Sequence, residues 1–209
     1  ETNMKILSLH PGHNSTVCLL DNGKIIGLLS QEKIDNIKNS ASFPAEAIDA
    51  LLKECQISTE SIDAVAIAGI DVFPAYCYEY LFNPKNEIKH FSVLRDAAKT
   101  LEKGVLGSIM PSIFKFARQS RKTALLLEGR AELKHQLAKT PLINKPLTHI
   151  DHHQCHAYSA YYGLAHDDAP ALVFTADGSG DQSSATVWVA QNRKLEKIAN
   201  TPPEASLGG

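Results

Sequence analysis

Short apolar runs, each closed by a turn signal, dominate the opening of the chain. Lys5 to Leu9 reads as a buried strand, because the run is brief and stops at His10-Pro11-Gly12, where the backbone must turn. Thr16 to Leu20 predicts a second strand. Asp21-Asn22-Gly23 tolerates the positive φ of a tight hairpin, and Lys24 to Ser30 returns as a third. Behind Pro44, the helical spacing of Ala47, Ile48, Leu51 and Leu52 predicts a helix over Pro44 to Glu54, followed by a buried strand over Ala64 to Ala68. Gly69 to Lys89 has no sustained period and is expected to be irregular. Phe91 to Lys139 is mainly helical in pattern, Leu147 to Ile150 is a short strand, and His152 to Leu164 is a helix rich in Ala and Tyr.

The last part of the chain repeats the first. Ala171 to Ala176 predicts a strand, Asp177-Gly178-Ser179-Gly180-Asp181 a polar loop, and Ala185 to Ala190 a second strand. Asn192-Arg193 then turns the chain into a last strand, Lys194 to Ile198. Thr16-Val17 corresponds to Thr186-Val187, and Lys24-Ile25 to Lys194-Leu195, at one offset of about 170 residues. A duplicated three-stranded unit with helices between argues for two related α/β lobes. The first is expected over residues 4–168, with a largely helical insertion at about 70–145, and the second begins at 169. It stops after three strands at Pro202-Pro203, which would leave sheet faces and edges open, so a longer protein is expected.

Composition narrows the function classes. A formal charge of -2 and a pI near 6.5 give no general attraction to nucleic acid or anionic membrane. No nucleic-acid partner and no membrane association are therefore expected. The locally basic stretch, Lys115, Arg118, Arg121, Lys122, Arg130 and Lys134, could receive an acidic acceptor or RNA. Leu125 to Leu127 and Glu128 interrupt it, which favours a solvated helix face. The four cysteines form no C-x-x-C pair and read as small buried hydrophobes, and with no secretory pattern at the start, a cytoplasmic location is expected.

Two features suggest chemistry. Gly12, Gly178 and Gly180 would let backbone amides approach phosphate oxygens across a cleft between related lobes, with Ser15, Ser179 and Ser183 as added donors. Asp177 would repel bare phosphate, so a carboxylate there suggests a bridging metal or its water shell. His152 and His156, four residues apart at a helix start, share a face on which two neutral imidazoles can hold one divalent metal. His153 and His156 could alternatively be helix-start or core histidines. No Glu follows His152 as in H-E-x-x-H, so a metalloprotease base is absent.

These residues resemble a known family. His13-Asn14-Ser15, Asn22-Gly23-Lys24, Gln31-Glu32-Lys33, Ile37-Lys38 and Phe43-Pro44 are similar to the first block of the O-carbamoyltransferases of nodulation-factor and antibiotic biosynthesis. His152-His153-Gln154-Cys155-His156-Ala157 with Ser159-Ala160-Tyr161-Tyr162 resembles the second block, and Asp177 to Asp181 the third. Ser206-Leu207-Gly208 resembles the start of a fourth.

The resemblance implies an actin-like (ribonuclease H-like) fold, shared with threonylcarbamoyl-transfer proteins of tRNA modification. It implies an ATP-dependent enzyme in which a YrdC-like domain elsewhere in the chain makes carbamoyl-adenylate from carbamoyl phosphate and ATP. The actin-like domain would then pass the carbamoyl group to a hydroxylated small-molecule acceptor. His152 and His156 are implied to hold the metal, Fe(II) or Zn(II) with Mg(II) as a further option. Asp177, Gly178, Ser179, Gly180 and Asp181, with Gly12 and Ser15, are implied at phosphate, and His13 and Lys38 near the reacting carbonyl. Tyr161 and Tyr162 are expected as core residues behind the metal helix.

The family's third metal ligand, an Asp, is implied beyond Gly209, so the 209-residue chain by itself is expected not to turn over. The family usually has Asp at the position of Asn14, Glu-Glu-Arg at Gln31-Glu32-Lys33 and His at Asn39. Two other readings are a tRNA threonylcarbamoyl-transfer-like enzyme and a non-catalytic nucleotide-binding module of the same fold.

Overall fold

The computed structural model describes residues 4–75, 77, 110–163 and 169–206. Five strands form the first sheet: β1 Lys5–His10, β2 Thr16–Asp21, β3 Lys24–Ser30, β4 Ala64–Ala68 and β5 Leu147–Ile150. Their order is β3-β2-β1-β4-β5, antiparallel through the hairpins and parallel from β1 to β4 and β5. This is the strand order of an actin-like, ribonuclease H-like lobe. Leu7 and Leu9 on β1 and Val17 and Leu19 on β2 alternate onto one face, as period-two patterning requires. Helix α2 (Ala45–Glu54) lies over that face and buries Ala47, Ile48, Leu51 and Leu52. Gly27 on β3 permits the approach, because a Cβ there would stand 2.6 Å from Leu51 Cδ1. A short helix α1 (Glu32–Asp35), which the residue pattern does not announce, precedes α2.

The long helix α3 (Met110–Leu137) closes the same core through Leu133 and Leu137. It packs at Gly129 against the backbone of Val72 and Phe73. The helical pattern over Phe91 to Lys139 is thus met from Met110 to Leu137, while its earlier part and most of the irregular excursion lie outside the described residues. Lys115 and Arg118 have no described side chains. Lys122 and Arg130 are not merely solvated: Lys122 Nζ is 3.0 Å from Asp71 Oδ2, and Arg130 donates to the Ile70 carbonyl.

The second sheet is β6 (Ala171–Gly180), β7 (Ser183–Gln191) and β8 (Lys194–Thr201), in that order and antiparallel throughout. Its hairpin reproduces the first: Asp21 pairs with Lys24 as Gln191 pairs with Lys194, around turns at Asn22-Gly23 and Asn192-Arg193, all with positive φ. Helix α4 (His152–Gly163) covers one face, packing Ala157 and Tyr161 with Val173, Trp188 and Ala190. The buried face of α4 therefore belongs to the second sheet. On the opposite face Leu172 and Phe174 are exposed.

Several expectations need correction. Asp177 to Gly180 is not a free loop, because β6 runs to Gly180 and only Asp181-Gln182 turns, both at positive φ. Asp177, Gly178 and Ser179 form a bulge between the pairs Ala176–Ala185 and Gly180–Ser183. β8 runs to Thr201, because β7 still offers ladder partners as far as Ala185. Tyr161 is buried but Tyr162 is exposed, one position off the stripe His153, Ala157 and Tyr161, and its hydroxyl donates to the Arg193 carbonyl at 2.7 Å. The four cysteines are half-buried rather than buried.

Candidate metal centre and interlobe cleft

Helix α4 begins directly behind β5, and Asp151 caps it: Asp151 Oδ1 accepts the Gln154 N–H at 2.9 Å. Residues 153, 157 and 161 repeat every four positions and bury against the second sheet. His152 and His156, each one position earlier, share the adjacent face. Their rings meet edge to face at 4.6 Å, with Nε2 atoms 3.0 Å apart.

The bulge on β6 brings in a third donor. Re-aiming a side chain is what a bulge does to a strand, and Asp177 Oδ2 lies 2.7 Å from His152 Nε2 and 3.6 Å from His156 Nε2. The three donor atoms fall within 4.8 Å of one another. His152 Nε2 carries at most one proton, so it cannot donate to Asp177 and to His156 together. Ligands at about 2.0–2.2 Å around a tetrahedral ion stand roughly 3.3 Å apart, so this spacing fits a divalent cation. Burial and then the neighbouring His152 push the His156 imidazole below its usual range, which keeps it neutral and able to ligate. Burial works to raise the Asp177 carboxyl, but hydrogen bonds from His152 and the Gly178 N–H prevail and hold it below the usual carboxylate range.

Gly180 supports the cluster at close quarters. The His152 ring lies against its backbone, and any Cβ there would overlap that ring. Asp181 does something different again. Its carboxylate accepts backbone N–H groups from Ile70 at 2.8 Å, Asp71 at 2.6 Å and His152 at 2.6 Å, tying the second hairpin to the first lobe.

A cleft of about 370 Å³ opens between the lobes. The β1–β2 connection lines it with His10, Gly12 and His13, and the segment after β4 with Gly69 and Asp71. Lys122, His152, Ser179, Gly180 and Asp181 are also in its walls. Burial lowers the His13 imidazole below its ordinary range, with the Asp177 carboxylate opposing. His10, Asp71 and Lys122 escape a motif-based reading, since each is an ordinary residue, at the end of a strand, in the segment after β4 or on a helix.

Other expected site residues lie elsewhere. Ser15 is fully buried, its backbone bonded to Ser40 and Gln31 and its hydroxyl without a partner. Lys38 is exposed and is not among the cleft-lining residues, and its charge acts on Glu32. Asp177, implied at phosphate by the resemblance, lies with the two histidines. Its sequence signal is a carboxylate in a loop otherwise suited to phosphate. Ser206 closes on the same bulge, donating to the Asp177 carbonyl at 3.4 Å. Cys155, in the first turn of α4, is pushed up to about 11 by burial, which leaves a protonated, weakly nucleophilic thiol.

The family model for the carbamoyltransferase N-terminus matches residues 5–208. The chain belongs to that family. Among relatives of this carbamoyltransferase domain, the nodulation protein NolNO of Sinorhizobium fredii is 24% identical over 196 residues, covering 94% of this chain and 24% of that protein. Protein sll1178 of Synechocystis is 26% identical over 185 residues, covering 88% of this chain and 26% of its own length. Protein MJ1058 of Methanocaldococcus jannaschii is 26% identical, at 85% and 31%. The chain thus spans about a quarter to a third of the length of these relatives. YeaZ from Pseudomonas aeruginosa has a similar structure at TM-score 0.42 and 12% identity, covering 96% of this chain and 68% of that one. At that level the strand order, rather than the likeness, carries the fold. No helix among the described residues is long and apolar enough to cross a membrane.

Proposed function

We propose that this chain provides the metal- and phosphate-binding part of an O-carbamoyltransferase, which passes a carbamoyl group from carbamoyl-adenylate to an acceptor hydroxyl. The carbamoyl-adenylate would come from carbamoyl phosphate and ATP on a YrdC-like domain of the same protein. The observation that carries the proposal is the convergence of His152, His156 and Asp177 beside a cleft walled by Gly12, Ser179 and Gly180. Two imidazoles with one carboxylate favour Fe(II) or Zn(II) over Mg(II), which prefers oxygen ligands and water. When bound, the ion supplies a Lewis-acidic anchor for an adenylate phosphate.

The protein's own residues account for the rest. The bulge Asp177-Gly178-Ser179 offers a backbone surface without a side chain at Gly178, which suits a phosphate. His13 stands in the cleft wall with its imidazole held neutral by burial, as a general base requires. The acceptor oxygen attacks the carbamoyl carbon, its proton passes to His13, and the bond from that carbon to the phosphate oxygen breaks, releasing AMP. This geometry favours His13 over Lys38, which lies outside the cleft lining.

The test incubates the whole carbamoyltransferase carrying this domain with ATP, carbamoyl phosphate and a panel of hydroxylated acceptors. Mass spectrometry should show a gain of about 43 Da on one acceptor, one carbamoyl replacing one hydrogen. Retained ATP binding without any carbamoylated product would leave a nucleotide-binding module and sink the proposal.

A further inference from the structure

Between the two candidate ligands of α4 sits His153, a fully buried histidine that faces away from the cleft. We infer that His153 is the positioning residue of the metal centre, fixing the rotation of α4 so that His152 and His156 aim at Asp177. The inference rests on the metal reading above and extends it to residues that touch neither metal nor substrate.

The argument begins with hydrogen-bond donors. The Ser183 carbonyl can only accept, so His153 Nε2, 3.1 Å away, carries the ring proton. His153 Nδ1 then accepts the Thr175 hydroxyl at 2.7 Å. Thr175 Oγ1 in turn accepts the Thr186 hydroxyl at 2.6 Å, and Thr186 Oγ1 accepts the Trp188 indole N–H at 2.6 Å. This one arrangement satisfies every group in the chain, from Trp188 through Thr186 and Thr175 to His153 and Ser183. Thr175, Thr186 and Trp188 are all buried, so an unmade bond has no water to replace it.

Geometry then links this chain to the site. The buried stripe of α4 is His153, Ala157 and Tyr161. Ala157 has only a methyl group with which to resist rotation, and Tyr161 lies two turns away. Of the stripe residues, His153 is therefore the one whose side chain grips the first turn with directional bonds, while the Asp151 and Asp181 carboxylates hold backbone N–H groups of that turn. His152 and His156 follow from that grip, because each precedes a stripe residue by one position and is displaced by about a third of a turn. Thr175 lies two residues before Asp177 on β6, so the same hydrogen bond sets α4 against the strand that carries the third ligand. Outer-shell bonds of this kind usually change metal affinity by about 10–100-fold when removed.

The test measures Zn(II) affinity by titration of the purified protein, together with the melting temperature and an imidazole nitrogen spectrum. Thr175→Val, which deletes the donor to Nδ1, should weaken Zn(II) binding at least tenfold, and Thr175→Ser should restore it to within about threefold. Val173→Ala loosens packing under the same helix without touching the chain, so it should lower the melting temperature and leave Zn(II) affinity within about threefold. If Val173→Ala weakens Zn(II) as much as Thr175→Val, or if folded Thr175→Val binds like the wild type, the inference is overturned. Should Thr175→Val fail to fold, Thr186→Val takes its place, and an unaltered affinity there has the same meaning. The nitrogen spectrum should show His153 protonated at Nε2 in the metal-free wild type, and protonation at Nδ1 would refute the chain of bonds directly. A wild type that binds no Zn(II) or Fe(II) would overturn the metal reading instead, and the nitrogen spectrum would still judge the hydrogen-bond chain.

Discussion

The two three-stranded units of this domain agree in their hairpins and part company at one connection. Between β1 and β2 the backbone folds back on its own lobe: the Ser15 N–H reaches the Ser40 carbonyl, and the Gln31 N–H reaches the Ser15 carbonyl. Between β6 and β7 the chain bulges and reaches outward, Asp177 toward α4 and Asp181 toward Ile70 and Asp71. The first connection therefore shapes a wall, and the second gathers candidate ligands and binds the lobes together. A repeated scaffold supplies symmetry in such a molecule, while the candidate metal centre depends on a departure from it.

Exchanging ligand for wall gives the largest expected effects. Asp177→Asn should lower Zn(II) affinity by at least about 100-fold, beyond what loss of an outer-shell contact causes. His13→Ala should leave Zn(II) binding within about threefold while lowering carbamoyl transfer by about 10²–10⁴. Equal metal loss in both variants, read by titration, would erase the distinction between the two connections.

Glycines sharpen the same comparison. Gly180→Ala drives a methyl group into the His152 ring and should weaken Zn(II) at least about tenfold, with roughly 1–3 kcal/mol of stability lost to overpacking. Gly23→Ala, at φ +76° in open space, should cost about 1 kcal/mol and leave metal affinity unchanged. Denaturant unfolding with parallel metal titration distinguishes the two. Asp181→Ala removes the acceptor of three backbone N–H groups and should cost about 2 kcal/mol in unfolding experiments.

The smallest effect concerns pH. Burial depresses the His10 imidazole in the folded protein, so the unfolded chain binds more protons once pH falls below about 6.5. The stability linked to His10 is complete above that pH and is lost as pH falls toward the folded pKa. His10→Gln should flatten this dependence, and an unchanged slope of unfolding free energy between pH 7 and 5 would count against it.

Much of the scaffold was legible. β3, β4 and β5 have the expected boundaries, because each apolar run is short and flanked on at least one side by Gly, Pro or Asp. The last β8 residues, Ala199, Asn200 and Thr201, have little strand character of their own and are held by pairing with β7. The Asp177 bulge was hidden for a related reason, since glycines and a carboxylate mark a turn locally, and only the β7 ladder extends the strand past them. Ser15 sits beside Gly12 and His13 in sequence, yet its side chain points into the core.

From its residues alone, the chain specified two related α/β units, the hairpin registers and a helix presenting His152 and His156 on one face. Those properties depend on local periodicity and turn chemistry, which act between neighbours. Tertiary structure decided that Asp177 completes the cluster, that His153 faces a buried row of hydroxyls, and that Asp181 holds backbone amides of the other lobe. Each depends on where a strand register and a helix rotation place atoms far apart in sequence, and no local pattern encodes that distance.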